Sequence, residues 1–316
     1  MKLFIKNISL FLIFSIAFYI ASIIILGTVL PQSFRPNIKF NRGTGHTAIK
    51  INEIKNVRNI DILFIGSSHA YRSFDTRFYN DLGLTSFNLG TSAQTPIQSK
   101  LLLNRYLKDL NPKILIFEVS PQLFCSDGIE SSLDIISNDK NDLQSINMSL
   151  KNESILSINT SILAVFQDLL NSKIEPSNQN EKKDTYIKGG FVERDIEHYD
   201  FKKDNHFLNY YDFKQNQFNA FEDILAQAKD LNIKVILVQT PIAPSYYNSF
   251  LNKSPFNKRM HNYGEYYDFN KTINLNDSIH FYDLNHMNQN GVDLFNPIFI
   301  KETNLINKIN NLTRDN

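Results

Sequence analysis

The sequence predicts an α/β fold, a parallel sheet with helices on both faces, set behind one membrane-spanning N-terminal helix. Two observations carry this. From about Ile60 onward, short β-branched or aromatic runs alternate with segments whose apolar residues recur at helical spacing. Ahead of them, Ile8 to Leu30 (ISLFLIFSIAFYIASIIILGTVL) contains no charged residue.

Those 23 residues, at about 1.5 Å per helical residue, span a hydrocarbon layer of roughly 30 Å. A cleaved signal peptide has a shorter apolar region, of about 7 to 15 residues, and a small-x-small cleavage site. Neither is evident here, so the segment reads as an uncleaved anchor. Lys2 and Lys6 precede it and Arg35, Lys39 and Arg42 follow it, so charge alone does not orient the helix. The short N-terminal tail places that end inside and the bulk of the chain outside. Pro31 and Pro36 end the helix in an extended exit. The expected organisation is an anchor over 1–31, a polar juxtamembrane segment over 32–59, and an α/β domain over 60–316.

Within that domain the expected strands are Ile60 to Ile65, Thr85 to Leu89, Lys113 to Val119, Lys234 to Gln239 and Ile279 to Tyr282. Pro96 to Leu110 and Gln217 to Leu231 have the apolar periodicity of amphipathic helices. The stretch from about 125 to 207 fits the alternation less well. It combines a helix at Ile155 to Leu170 with the polar run NSKIEPSNQNEKKDT, and reads as an insertion carrying a mobile loop.

Composition excludes several classes of function. The 33 basic and 32 acidic side chains leave a formal charge of +1, so no overall field recruits nucleic acid. Cys125 is the one cysteine, which rules out an intrachain disulfide and a thiol cluster for zinc. His46, His198, His206, His261 and His280 show no metal-ligand spacing. Neither a metal nor a cofactor is expected.

The chemistry concentrates at two places. In DILFIGSSHAYRSFD, Asp61 to Asp75, an apolar strand runs into a glycine, two serines and a histidine. Ligands of an open parallel sheet bind at the carboxyl ends of its strands. Gly66 permits a tight turn there, and the first N–H groups of the next helix have no intrahelical partner and are free to hold an oxyanion. Ser67 and Ser68 are then either helix caps or a nucleophile. A serine needs a base, and FYDLNHMNQNG supplies one by placing Asp283 three residues before His286. Asp283 can hold one imidazole nitrogen while the other meets the serine. Taken alone, this pair reads equally well as a helix cap and a first-turn residue.

Together, Gly-x-Ser after the first strand, NLGTSAQT (Asn88 to Thr95) after the second and Asp-x-x-His after the last resemble the SGNH, or GDSL-like, esterase and acyltransferase superfamily. The likeness covers about Ile60 to Ile300 in order, the insertion excepted. It implies a flavodoxin-like three-layer α/β/α sandwich, with Ser68 as nucleophile, His286 as base and Asp283 as its orienter. Ser67 stands where the family usually has aspartate. The family's oxyanion donors would map to the Ser68 N–H and to the segment holding Gly90, Ala93 and Gln94. Its third-strand asparagine is replaced by Ser120, in EVSPQ, with Gln122 also in reach. A closer resemblance, to membrane-anchored bacterial envelope proteins, gives context but no substrate.

Other residues have plainer readings. His69 follows Ser68 directly, so its ring diverges from the serine and lines or packs the pocket. Glu118 ends an apolar strand and is either a site carboxylate or a partner of Arg72 or Arg105. The tyrosines of NYYDF and YGEYYDF pack internally or stack on sugar rings. Three functional classes follow: a hydrolase removing acyl groups from an envelope glycan, an acyltransferase using the same serine, and a non-catalytic glycan-binding or assembly subunit. The partners implied are an acylated envelope glycan or acyl donor, the membrane, and a polytopic membrane acyltransferase.

Overall fold

The computed structural model describes residues 1–170, 183–199 and 208–314. The chain begins with helix α1, Lys2–Val29, followed by α2, Gly45–Ile54. Then come β1 (Ile62–Ile65), α3 (Ser68–Ser73), α4 (Thr76–Asp81), β2 (Ser86–Asn88), α5 (Pro96–Leu110) and β3 (Ile114–Glu118). Helices α6 (Ile129–Asn138), α7 (Leu143–Lys151) and α8 (Ile155–Leu169) lead to a hairpin of β4 (Asp184–Ile187) and β5 (Phe191–Arg194). Helix α9 (Gln215–Asp230), β6 (Lys234–Gln239) and β7 (Tyr266–Asp268) complete the sheet, and the helices Gln289–Glu302 and Leu305–Arg314 close the chain.

The main sheet has the order β2-β1-β3-β6-β7, every pair parallel. With the β4–β5 hairpin set aside, this is the 2-1-3-4-5 order of flavodoxin-like sheets, whose direction reverses between β1 and β3. Alternation along each strand sends side chains into two cores. Leu63, Ile65, Leu115, Phe117 and Leu237 face one, with α2, α5 and α9. Ile62, Phe64, Ile114, Ile116, Ile236 and Val238 face the other, with α3, α4 and the helix Gln289–Glu302. A sheet buried on both faces explains why its strands read as unbroken apolar runs. Burying one such side chain fully contributes about 2 kcal/mol. α5 starts where it does because Thr95 and Gln98 form a capping box and Pro96 sits at the first helical position; it ends at Asn111 in a left-handed conformation.

Helix α1 is long and apolar enough to cross a membrane. Its C-terminal half rests on α8. The Tyr19 hydroxyl donates to Asn159 Oδ1 at 2.6 Å, and a side chain at Gly27 would meet Leu163 at 2.8 Å.

The structure corrects two expectations and bears on two open alternatives. The last strand is Tyr266–Asp268, not Ile279 to Tyr282. There Asn276 Oδ1 accepts from the N–H groups of Ser278 and Ile279, which starts a short helix, Asp277–His280. The segment 32–59 is not a separate juxtamembrane stretch, because Ile38, Phe40, Ile51 and Ile54 are buried in the core. Glu118 pairs with neither arginine: Arg105 binds Asp139 and Asp142, and Arg72 binds Asp184. Of the tyrosine runs, Tyr211 stacks on Phe250 at 4.2 Å and the buried Tyr266 hydroxyl lies 3.0 Å from Gln239 Oε1 and from Asn257 Oδ1, whereas Tyr210 is exposed. The mobile loop expected at 171–185 lies outside the described residues as far as 182; the rest begins β4.

Candidate active site

Strand β1 ends at Ile65 and the chain turns sharply at Gly66, whose φ is +147°. A Cβ there would meet that of Glu118 at 2.7 Å, so the turn requires glycine. Ser67 then caps α3, its Oγ accepting from the His69 N–H at 3.1 Å and donating to Glu118 Oε2 at 3.2 Å. Ser68 is the first residue of the helix. Its hydroxyl lies 2.7 Å from His286 Nε2. The other ring nitrogen, Nδ1, lies 2.8 and 3.0 Å from the two oxygens of Asp283.

Local bonds hold the Asp-x-x-His loop in this shape. Asp283 Oδ1 also accepts from the N–H groups of Asn285 and His286, at 2.7 and 2.8 Å. An isolated bridge joins Phe281 to Met287, both buried, and closes the loop. Tyr282 stacks on the His286 ring at 5.5 Å and 7°, and the guanidinium groups of Arg72 and Arg194 lie 5.6 and 4.7 Å from its ring centroid. Both arginines are bonded to Asp184 at the start of β4, so the hairpin forms one wall of the site. Burial pulls the His286 imidazole below its ordinary value, and the opposing pull of Asp283 does not cancel it. Burial acts to raise Asp283, but its bonds from His286 and the loop N–H groups hold it below the usual carboxylate value.

These groups open onto a cavity of about 670 Å³ lined by Ser68, His69, Tyr71, Arg72, Ser92, Ala93, Gln122, Tyr246, Tyr282 and His286, among others. A second cavity of about 330 Å³ shares the wall formed by Tyr71, Arg72, Ser92 and Glu130. Lys50 is buried on its far side, donating to the Gly90 carbonyl, and burial pushes its ammonium down to about 7.

The residues expected to bind an oxyanion separate. Ala93 lines the cavity at φ +49°, a left-handed position that favours glycine, and its N–H has no acceptor among the described residues. Gly90 does not contribute its N–H, which donates to Asn88 Oδ1 at 3.2 Å. Gln94 is fully buried and donates to Ser99, away from the cavity. Ser120 is buried too, bonded to His69 Nδ1 at 2.7 Å. Gln122 does reach the cavity, donating to Asn285 at 3.3 Å.

Arg194, Tyr282 and Asn285 were not identified from the sequence. The signal for Arg194 was present: DTYIKGGFVER sets two β-prone runs around Gly189 and Gly190, the pattern of a hairpin.

A 2-1-3-4-5 parallel sheet with the serine at the turn after β1 and the Asp-x-x-His loop just before the helix Gln289–Glu302 settles the architecture. The fold is a flavodoxin-like parallel α/β/α sandwich. No protein-family model matches the chain, and no curated protein does. Among solved structures, the chain is similar to a Bacteroides fragilis protein assigned as an acylhydrolase. The two share 12% identity over 82% of this chain and 95% of that one, with a TM-score of 0.41. It is also similar to a GDSL-like lipase from Bacteroides thetaiotaomicron, at 12% identity over 81% and 96%, with a TM-score of 0.40.

Proposed function

We propose that this chain is a membrane-anchored serine esterase or O-acyltransferase acting on acyl groups of a cell-envelope polysaccharide. The observation that carries the reading is the unbroken series Ser68 Oγ, His286 Nε2, His286 Nδ1, Asp283. Ser68 attacks the ester carbonyl carbon while His286 takes the hydroxyl proton, and the carbonyl π pair moves onto oxygen. The pair returns as the C–O bond to the leaving alcohol breaks, and His286 gives that alcohol its proton. Water then releases the acyl group in an esterase, and a sugar hydroxyl accepts it in a transferase. Two adjoining polar cavities favour a substrate larger than a simple ester. The apolar helix α1 favours a place at the membrane surface, beside an acyl-donating membrane partner.

A fluorophosphonate probe, which phosphonylates activated serines, tests the reading on the full-length chain in detergent micelles. Label is expected on Ser68 alone. Imidazolium cannot accept the serine's proton, so labelling rises with pH as His286 deprotonates. Because burial depresses that group, the midpoint lies below the ordinary imidazole value of about 6.5. A folded protein that takes no label between pH 6 and 9 overturns catalysis and leaves the glycan-binding subunit.

The placement has its own test. A reporter fused after Asn316 is expected to be active outside the cytoplasm, with Met1 or Lys2 retained at the N-terminus. A cytoplasmic signal reverses the orientation, and an N-terminus beyond Leu30 makes α1 a cleaved leader.

A further inference from the structure

Acyl transfer through Ser68 gives no role to the histidine beside it in the cavity wall. His69 is almost completely buried, with 7% of its side chain exposed, yet it borders the same cavity as Ser68. Its ring meets that of His286 edge-on, the centroids 5.3 Å apart at 82°. Nδ1 is engaged by Ser120 Oγ at 2.7 Å, while Nε2 has no partner among the described residues.

We propose that His69 donates a hydrogen bond from Nε2–H to the oxyanion formed on the ester carbonyl, in a tautomer fixed by Ser120. This rests on the esterase or acyltransferase reading above.

The tautomer follows from counting hydrogens. Ser120 is 1% exposed, and among the described residues the one partner bonded to its hydroxyl is His69 Nδ1. If Nδ1 carried the hydrogen instead, the buried hydroxyl would lack an acceptor, at a cost of about 1–3 kcal/mol. The neutral ring therefore carries its hydrogen on Nε2, and a protonated ring carries one there as well. Ser120 is itself fixed, since its N–H donates to Glu118 Oε1 at 2.8 Å. The other oxygen of that fully buried carboxylate takes the Ser67 hydroxyl, so the ends of β1 and β3 are tied through one group. A donor held this rigidly needs no reorganisation as charge develops.

The same arrangement excludes His69 as the base. A nitrogen that bears hydrogen cannot accept the proton of Ser68, and the Ser68 hydroxyl is already bonded to His286. When Ser68 Oγ bonds to the carbonyl carbon, the electron pair displaced onto oxygen is received by the N–H groups of Ser68 and Ala93 and by His69 Nε2–H. The charge leaves that oxygen when the alcohol departs with the proton from His286.

The test compares substitutions of similar size in the full-length chain, with p-nitrophenyl acetate as substrate. His69→Met fills the space without a donor, whereas His69→Gln retains an amide N–H. His69→Met is expected to lose about 10²–10³ in kcat with KM within about threefold, the cost of one oxyanion donor. His69→Gln recovers at least tenfold of that loss. The pH midpoint falls below that of wild type in neither, because His69 acts only to lower the His286 imidazole and both variants remove it. Ser120→Ala, which removes the tautomer bias and nothing that touches substrate, lowers kcat by about tenfold. Equal rates in His69→Met and His69→Gln, or a pH midpoint below that of wild type, overturn the donor role. His69→Met at wild-type rate beside an inactive Ser68→Ala also overturns it and leaves the esterase reading intact. An active Ser68→Ala overturns the esterase reading itself.

Discussion

Ser68→Ala is expected to lower the kcat for ester hydrolysis by about 10⁶, leaving only what binding and the oxyanion donors supply. No neighbouring group replaces the hydroxyl. Ser67 lies one residue away, but its Oγ is committed to the His69 N–H and to Glu118. Ser67→Ala therefore keeps kcat within about tenfold and shows its effect in stability, where a lost helix cap costs about 1 kcal/mol. His286→Ala falls about as far as Ser68→Ala, and the double variant falls no further, because nucleophile and base act as one unit. Turnover of p-nitrophenyl acetate by the purified chain measures all four proteins. A Ser68→Ala protein with wild-type turnover removes the nucleophile assignment.

The parts of this molecule that were legible in the sequence are those that local chemistry dictates. β1, β3 and β6 are buried on both faces, so each is a continuous β-prone run whose type was clear and whose ends were right to within two residues. α5 announces itself through the capping residues at Thr95 and Pro96. β7 does not, because it is a three-residue strand at the sheet edge, and its short YYD run carries no alternation to read. Ile279 to Tyr282 reads as a strand on propensity, but the Asn276 cap outweighs propensity over so short a stretch. The same contrast holds at the site. Ser68, Asp283 and His286 stand in recognisable local patterns, and the structure brings them together. The residues expected to bind an oxyanion do not, because which N–H remains free depends on contacts between distant segments. Gly90 gives its N–H to Asn88, Gln94 turns to Ser99, and His69 reaches the cavity because Ser120, 51 residues on, holds its other nitrogen.

Asp283→Asn is expected to cost up to about 10⁴ in kcat, as in other serine triads, while leaving the fold in place. The loop tolerates the change. Oδ1 of asparagine still accepts from the N–H groups of Asn285 and His286, and the Phe281–Met287 bridge does not involve the side chain. The amide NH₂ then faces His286 Nδ1, where the carboxylate accepted a hydrogen. A donor at that point makes Nδ1 the acceptor and moves the imidazole hydrogen to Nε2, toward Ser68. In that tautomer the ring cannot take the serine's proton. The pH profile separates this from simple damage. Asp283 raises the imidazole's affinity for protons, against the larger effect of burial, so removing its charge moves the acid midpoint further below that of wild type. The expected result is a large fall in kcat with KM little changed and with the residual rate falling off only at lower pH. A variant that matches wild type in kcat and midpoint would mean that Asp283 neither selects the tautomer nor charges the site, and the triad would reduce to a serine and a histidine.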